Sequence, residues 1–104
     1  MRRHAFVMQL KPGCEEEYKR RHDLIWPELK DELRKAGISD YTIYLDRKTY
    51  RLFAVQRLAD DERTASLPDQ PIMRRWWEYM KDLMETNPDD SPVVEPLEEM
   101  FHMD

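Results

Sequence analysis

The chain has one cysteine and two glycines among its 104 residues, no long apolar run, and no excess of positive charge. Each shortage removes a class of function. A lone Cys14 can form no disulfide within the chain, so nothing points to an oxidising compartment. Gly13 and Gly37 are too little material for a phosphate-cradling loop, and no nucleophile elbow is present. Behind Arg2-Arg3 the apolar stretch covers only residues 5–10 before Lys11-Pro12-Gly13, too short for the apolar core of an export signal. Nothing approaches the ~20 residues that cross a bilayer. A net charge of -5 attracts neither phosphate backbones nor anionic lipid, so neither nucleic acid nor a membrane is an expected partner. The expected location is cytoplasmic.

What is present suits one modest core: 40% hydrophobic residues, 11% aromatic, within a 38% charged chain. A single domain over residues 1–104 is expected. Residues 4–10 alternate, with Phe6, Met8 and Leu10 opposed to Ala5, Val7 and Gln9, which predicts a strand. From Cys14 to about Lys35 the spacing turns helical. Tyr18, His22, Ile25, Leu29 and Leu33 form its stripe, and Gly37 suits the cap. Pro27 interrupts that helix, predicting a kink or a restart near Trp26. Alternating runs at residues 41–45 and 51–58 predict an antiparallel hairpin.

Asp60 and Asp61 suit a short helix start. After Pro71 a second main helix is expected to about Met84, burying Ile72, Met73, Trp76, Met80 and Leu83. Residues 87–92 hold two prolines and several turn-formers and predict a loop; residues 97–103 predict a closing strand. The order strand, helix, strand, strand, helix, strand is the ferredoxin-like α+β arrangement, an antiparallel sheet with helices on one face. The other face then needs a cover, for which a homodimer is the simplest solution.

Two features suggest chemistry. His22 shares the apolar stripe with Tyr18 one turn earlier, so two titratable groups face inward together. The pattern alone favours a structural histidine bonded to a buried tyrosine, and it also allows a general acid or base, since imidazole titrates near neutrality. Trp76 and Trp77 differ in direction by about 100° on a helix, so one indole can enter the core while the other lines an edge. Core packing explains such a pair, and so does a flat platform for a sugar. Tyr41 could place its hydroxyl at a cavity mouth. His4, His22 and His102 lack ligand spacing, so no metal is expected. Cys14 has no base nearby in sequence.

The blocks Ala5-Phe6-Val7-Met8-Gln9, Glu17-Tyr18 with Arg20-Arg21-His22, Ile25-Trp26-Pro27-Glu28-Leu29, Tyr41 with Ile43-Tyr44-Leu45-Asp46, Arg75-Trp76-Trp77 and Asn87-Pro88-Asp89 together resemble the L-rhamnose mutarotase family over essentially the whole chain. The stretch from Leu58 to Ile72 departs most. The resemblance implies an isomerase without cofactor, interconverting the α and β anomers of L-rhamnose. It implies a catalytic proton donor at His22 and substrate-binding positions at Tyr18, Tyr41, Trp76 and Trp77. It also implies a ferredoxin-like dimeric α/β-barrel whose C-terminal segment joins the subunit contact. Such a reaction delivers a proton to the ring oxygen while the anomeric hydroxyl loses one, and Tyr18 or an ordered water would relay the second proton. A cofactor-free monooxygenase, or a binding module without catalysis, would suit the same scaffold.

Overall fold

Proline divides the helical part of this chain more than hydrophobic periodicity does. In the computed structural model, which describes residues 1–104, the first helical stretch is two helices, α1 (Glu15–Asp23) and α2 (Pro27–Lys35). Pro27 lacks an N–H and pushes the residue before it out of helical geometry. Trp26 accordingly stands extended at ψ 130°, and Pro27 becomes the first residue of α2. The alternative of a kink in a continuous helix is thereby replaced by a restart.

Around these helices run β1 (Arg2–Gln9), β2 (Ile38–Asp46), β3 (Arg51–Leu58), α3 (Pro71–Met80) and β4 (Glu95–Pro96). The sheet order is β2-β3-β1-β4 with every neighbour antiparallel, which is the expected ferredoxin-like α+β topology. Register sets its two faces. Met8 pairs with Leu52 and Phe6 with Ala54, while Leu45 and Ile43 meet the same two residues from the other side. This face meets the helices in a core of Met8, Leu10, Leu29, Leu52, Ala54 and Met80, joined by Tyr18 and Trp76. Leu10, Leu29 and Leu52 are at most 2% exposed, and each contributes roughly 1.5–3 kcal/mol by leaving water.

Tyr41 does not open β2 but lies within it, at a bulge. Thr42 opposes Val55 and Ser39 opposes Arg57, so β2 spends one residue more than β3 across this interval. Asp40 takes the left-handed backbone there, φ +47°. Tyr41 shares the helix-facing side with Ile43 by alternation, and the extra residue brings Ile38, at odd spacing from them, back to that side.

Three other expectations need correction. Asp60 and Asp61 form a turn, and the short helix begins later as a 3-10 segment at Thr64–Asp69. α3 ends at Met80, and its last turn tightens into a 3-10 segment at Lys81–Leu83. The closing strand is β4, two residues long, and residues 97–103 are not in it. Pro96 has no N–H for the ladder, and beyond it Leu97 makes one bond to the Ala5 carbonyl, 2.9 Å. Residues 97–104 then lie exposed outside any strand, with Arg3 of β1 reaching His102 at 2.8 Å.

Candidate active site

α1 and α3 meet over the helix-facing side of the sheet, and their contact is aromatic. His22 stacks on Tyr18 with ring centroids 4.2 Å apart and 29° between planes. Trp76 lies perpendicular to His22, ring centroids 5.3 Å apart and 86° between planes. Behind it, Trp26 meets Trp76 at 5.1 Å and stacks on Tyr79. The indole pair divides as helix geometry requires: Trp76 is 6% exposed, whereas Trp77 is half-buried at the edge of the cavity.

That cavity encloses about 450 Å³ of space between atoms, its open mouth included. Tyr18, His22, Tyr41, Trp76 and Trp77 all line it. All five residues singled out from sequence are therefore brought together, although they come from three elements. Four methionines, Met8, Met73, Met80 and Met84, supply an adaptable apolar wall. An apolar chamber with a few convergent polar groups is the form in which proteins hold a small ligand.

His22 is oriented by its own helix. Its Nδ1 lies 3.0 Å from the Tyr18 carbonyl oxygen. A carbonyl only accepts, so Nδ1 carries the hydrogen and donates it, leaving Nε2 as the nitrogen free to exchange a proton with a ligand. Burial pushes the His22 pKa down, and this outweighs the opposing pull of the Tyr18 carbonyl and of Asp23. Burial also pushes the Tyr18 phenol far above its ordinary value, with Tyr41 adding like-charge repulsion. Tyr41 keeps more than a third of its surface exposed, yet the protein packed around its hydroxyl pushes its pKa up to about 12. Both phenols stay protonated at neutral pH and act as hydrogen-bonding groups.

Arg21 anchors the helix that carries His22. It bonds Glu17 within α1 at 2.7 Å, and its Nη1 reaches the Tyr79 carbonyl at 2.6 Å and Asp82 at 2.9 Å. Its guanidinium also lies 4.4 Å over the Tyr79 ring. This cluster fastens α1 to the end of α3, so the stacking of His22 between Tyr18 and Trp76 has a support outside the cavity.

Sequence reasoning passed over Lys81, Thr86 and Asp90, which also line the cavity. Lys81 had a legible signal, since it follows Trp77 by four residues and so shares its face. Asp90 had none, because its position depends on how residues 87–92 turn.

Comparison with known proteins gives a consistent result. The family model described as L-rhamnose mutarotase matches residues 3–103. A relative named L-rhamnose mutarotase from Burkholderia orbicola is 59% identical over 100 residues, 96% of either chain. One of the same name from Rhizobium johnstonii is 56% identical over 103 residues, 99% of this chain and 97% of the relative. The crystal structure of the L-rhamnose mutarotase of Formosa agariphila matches with a TM-score of 0.92 at 45% identity, each chain fully covered. A Pseudomonas aeruginosa structure, 15% identical with a TM-score of 0.58, covers 95% of this chain and is 93% covered itself, a likeness of fold alone.

Proposed function

The chain belongs to the L-rhamnose mutarotase family, and from that premise we propose how residues 1–104, acting as one domain, perform the reaction. It is an isomerase, and it interconverts the α and β anomers of L-rhamnose. The observation that supports the assignment of residues most is the His22 stack at the cavity, with Nδ1 tied to a carbonyl and Nε2 free.

Opening the pyranose requires a proton on the ring oxygen and the loss of one from the anomeric hydroxyl. The C1–C2 bond of the open aldehyde then rotates, and the ring closes on the other carbonyl face. His22 supplies the first proton from Nε2. The donating form is the imidazolium, and the burial that lowers its pKa makes that proton easier to give up. Tyr18 holds its own proton too firmly to act as a base alone. It relays instead, accepting the anomeric proton on its oxygen as it passes its own to water. Trp76 and Trp77 present apolar faces to the C–H side of the ring, and the Tyr41 hydroxyl bonds a sugar hydroxyl. A properly placed acid contributes ~10²- to 10⁴-fold. His22→Ala is accordingly expected to slow anomer exchange by at least ~100-fold with its melting temperature kept; full exchange in that variant would remove His22 from the chemistry.

A homodimer belongs to the same proposal. The sheet face away from the helices carries Tyr44, 63% exposed, and Val55, and the tail beside it carries Met100 and Phe101, both more than 80% exposed. A second copy that covered this surface would bury apolar area a lone chain leaves in water. A cytoplasmic location completes the proposal, resting on the free thiol of Cys14, which suits a reducing compartment. No helix is long and apolar enough to cross a membrane.

A further inference from the structure

Lys81 and Asp90 line the cavity but take no part in the chemistry above. They reach it from different elements. Lys81 opens the 3-10 turn after α3, one helical turn beyond Trp77. Asp90 belongs to the loop at residues 87–92, where its backbone is left-handed, φ +70°. Lys81 Nζ lies 3.7 Å from Asp90 Oδ2.

The loop fixes where Asp90 stands. The Asn87 side chain donates to Ser91 Oγ at 3.1 Å and to the Pro92 carbonyl at 3.3 Å, and its backbone N–H reaches the Ser91 carbonyl at 2.7 Å. The Asp90 N–H bonds the Asn87 carbonyl at 2.9 Å. Thr86 pairs with Pro92 at the base of the loop, and both residues line the cavity. Aspartate tolerates the left-handed backbone better than most residues do.

A pyranose presents neighbouring hydroxyls, each a donor and an acceptor. The rest of the wall offers few partners for them: an imidazole, two phenols and a threonine among indoles and thioethers. Asp90 is the one carboxylate lining the cavity, and an ionised carboxylate accepts from two donors at once. An ion pair as solvent-exposed as this one adds little to stability, so its worth to the protein lies elsewhere.

We propose that the Lys81–Asp90 pair is the hydroxyl-reading group of the site: Asp90 accepts from two neighbouring hydroxyls of the sugar ring, and Lys81 donates to one of their oxygens. The pair thereby sets substrate specificity, because a sugar with a hydroxyl missing or inverted leaves a charged group unpaired. No bond is made or broken by either residue. The inference rests on the mutarotase reading for the identity of the sugar.

The test uses methyl α-L-rhamnoside, which keeps the hydroxyls at C2, C3 and C4 and cannot open, so calorimetry with it reports binding without turnover. Asp90→Asn, Asp90→Ala and Lys81→Met are each expected to raise its Kd at least ~10-fold, the loss of a charge-assisted hydrogen bond. KM for L-rhamnose should rise in step, with kcat within about threefold and the melting temperature unchanged in Asp90→Asn and Lys81→Met, Asp90→Ala alone being lowered by its left-handed backbone. A deoxy analogue lacking one of the read hydroxyls should lose less affinity in Asp90→Asn than in wild type. Three results overturn the proposal: Kd and KM within twofold of wild type in all three variants; kcat lost with Kd unchanged, which would put the pair in the chemistry; or a lowered melting temperature with Kd kept, which would make it a structural tether. Wild-type protein that bound the glycoside but left the anomers of L-rhamnose unexchanged would instead contradict the mutarotase reading.

Discussion

At the residue scale, the burial that depresses the His22 pKa carries a kinetic consequence of definite sign. The proton-donating form is the imidazolium, whose share falls as pH rises through the His22 pKa, and that pKa lies below the ordinary imidazole value. kcat/KM should therefore fall with rising pH, along a limb centred below about 6.5. Tyr18 and Tyr41 remain protonated across this range. The charged groups near the ring are Asp23 on its own helix and Lys81 and Asp90 across the cavity, so a limb that keeps its position in Asp90→Asn does not arise from that carboxylate. Activity that rose with pH over the same range would mean that Nε2 first takes a proton from the anomeric hydroxyl. The two tryptophans should separate by phenotype as well. Trp76→Ala removes a buried indole and should cost about 3–5 kcal/mol in chemical unfolding, whereas Trp77→Ala should chiefly raise KM. His22 and Tyr18 were legible because helical spacing places i and i+4 together, and the indoles because adjacent helix positions diverge by about 100°. Asp90 was not, since no periodicity describes a loop.

The element scale shows where local grammar suffices and where it does not. Pro27 ends one helix and begins another by covalent geometry alone, and that much could be read in advance. Alternation alone puts Tyr41 on one side with Ile43 and Leu45, but the bulge that returns Ile38 to that side could not be read, because it is a count of residues between two strands and depends on their pairing. Gly37 closes α2 with φ +97°, and a Cβ there would lie 2.9 Å from the Glu62 backbone. Gly37→Ala is expected to lower stability by about 1–3 kcal/mol, measured by urea unfolding, through both the backbone conformation and the crowding. The Arg21 cluster supports α1 from outside the cavity, with its bonds near the surface and partly screened. Arg21→Met should accordingly cost only about 1–2 kcal/mol while loosening the stack on which His22 depends. Its signature would be a drop in kcat larger than the drop in melting temperature explains.

For the whole molecule, alternation along the strands was enough to predict a two-faced antiparallel sheet, and β3 obeys it residue by residue, burying Leu52, Ala54, Gln56 and Leu58. The C-terminus broke the pattern. Residues 97–103 were expected to close the sheet, but they hold no β-branched residue, and past Pro96 their contact with β1 is one backbone bond, Leu97 to Ala5, and the Arg3–His102 side-chain contact. Under the dimer proposal, removing residues 97–104 should shift the protein toward monomer in sedimentation velocity; an unchanged mass would place the subunit contact elsewhere. The reaction itself is tested most directly by proton NMR exchange spectroscopy on equilibrated L-rhamnose, with and without the wild-type protein and with D-glucose as control. Rapid magnetisation transfer between the two anomeric signals of L-rhamnose, and little for D-glucose, is the predicted result. Transfer no faster than in buffer would contradict the account.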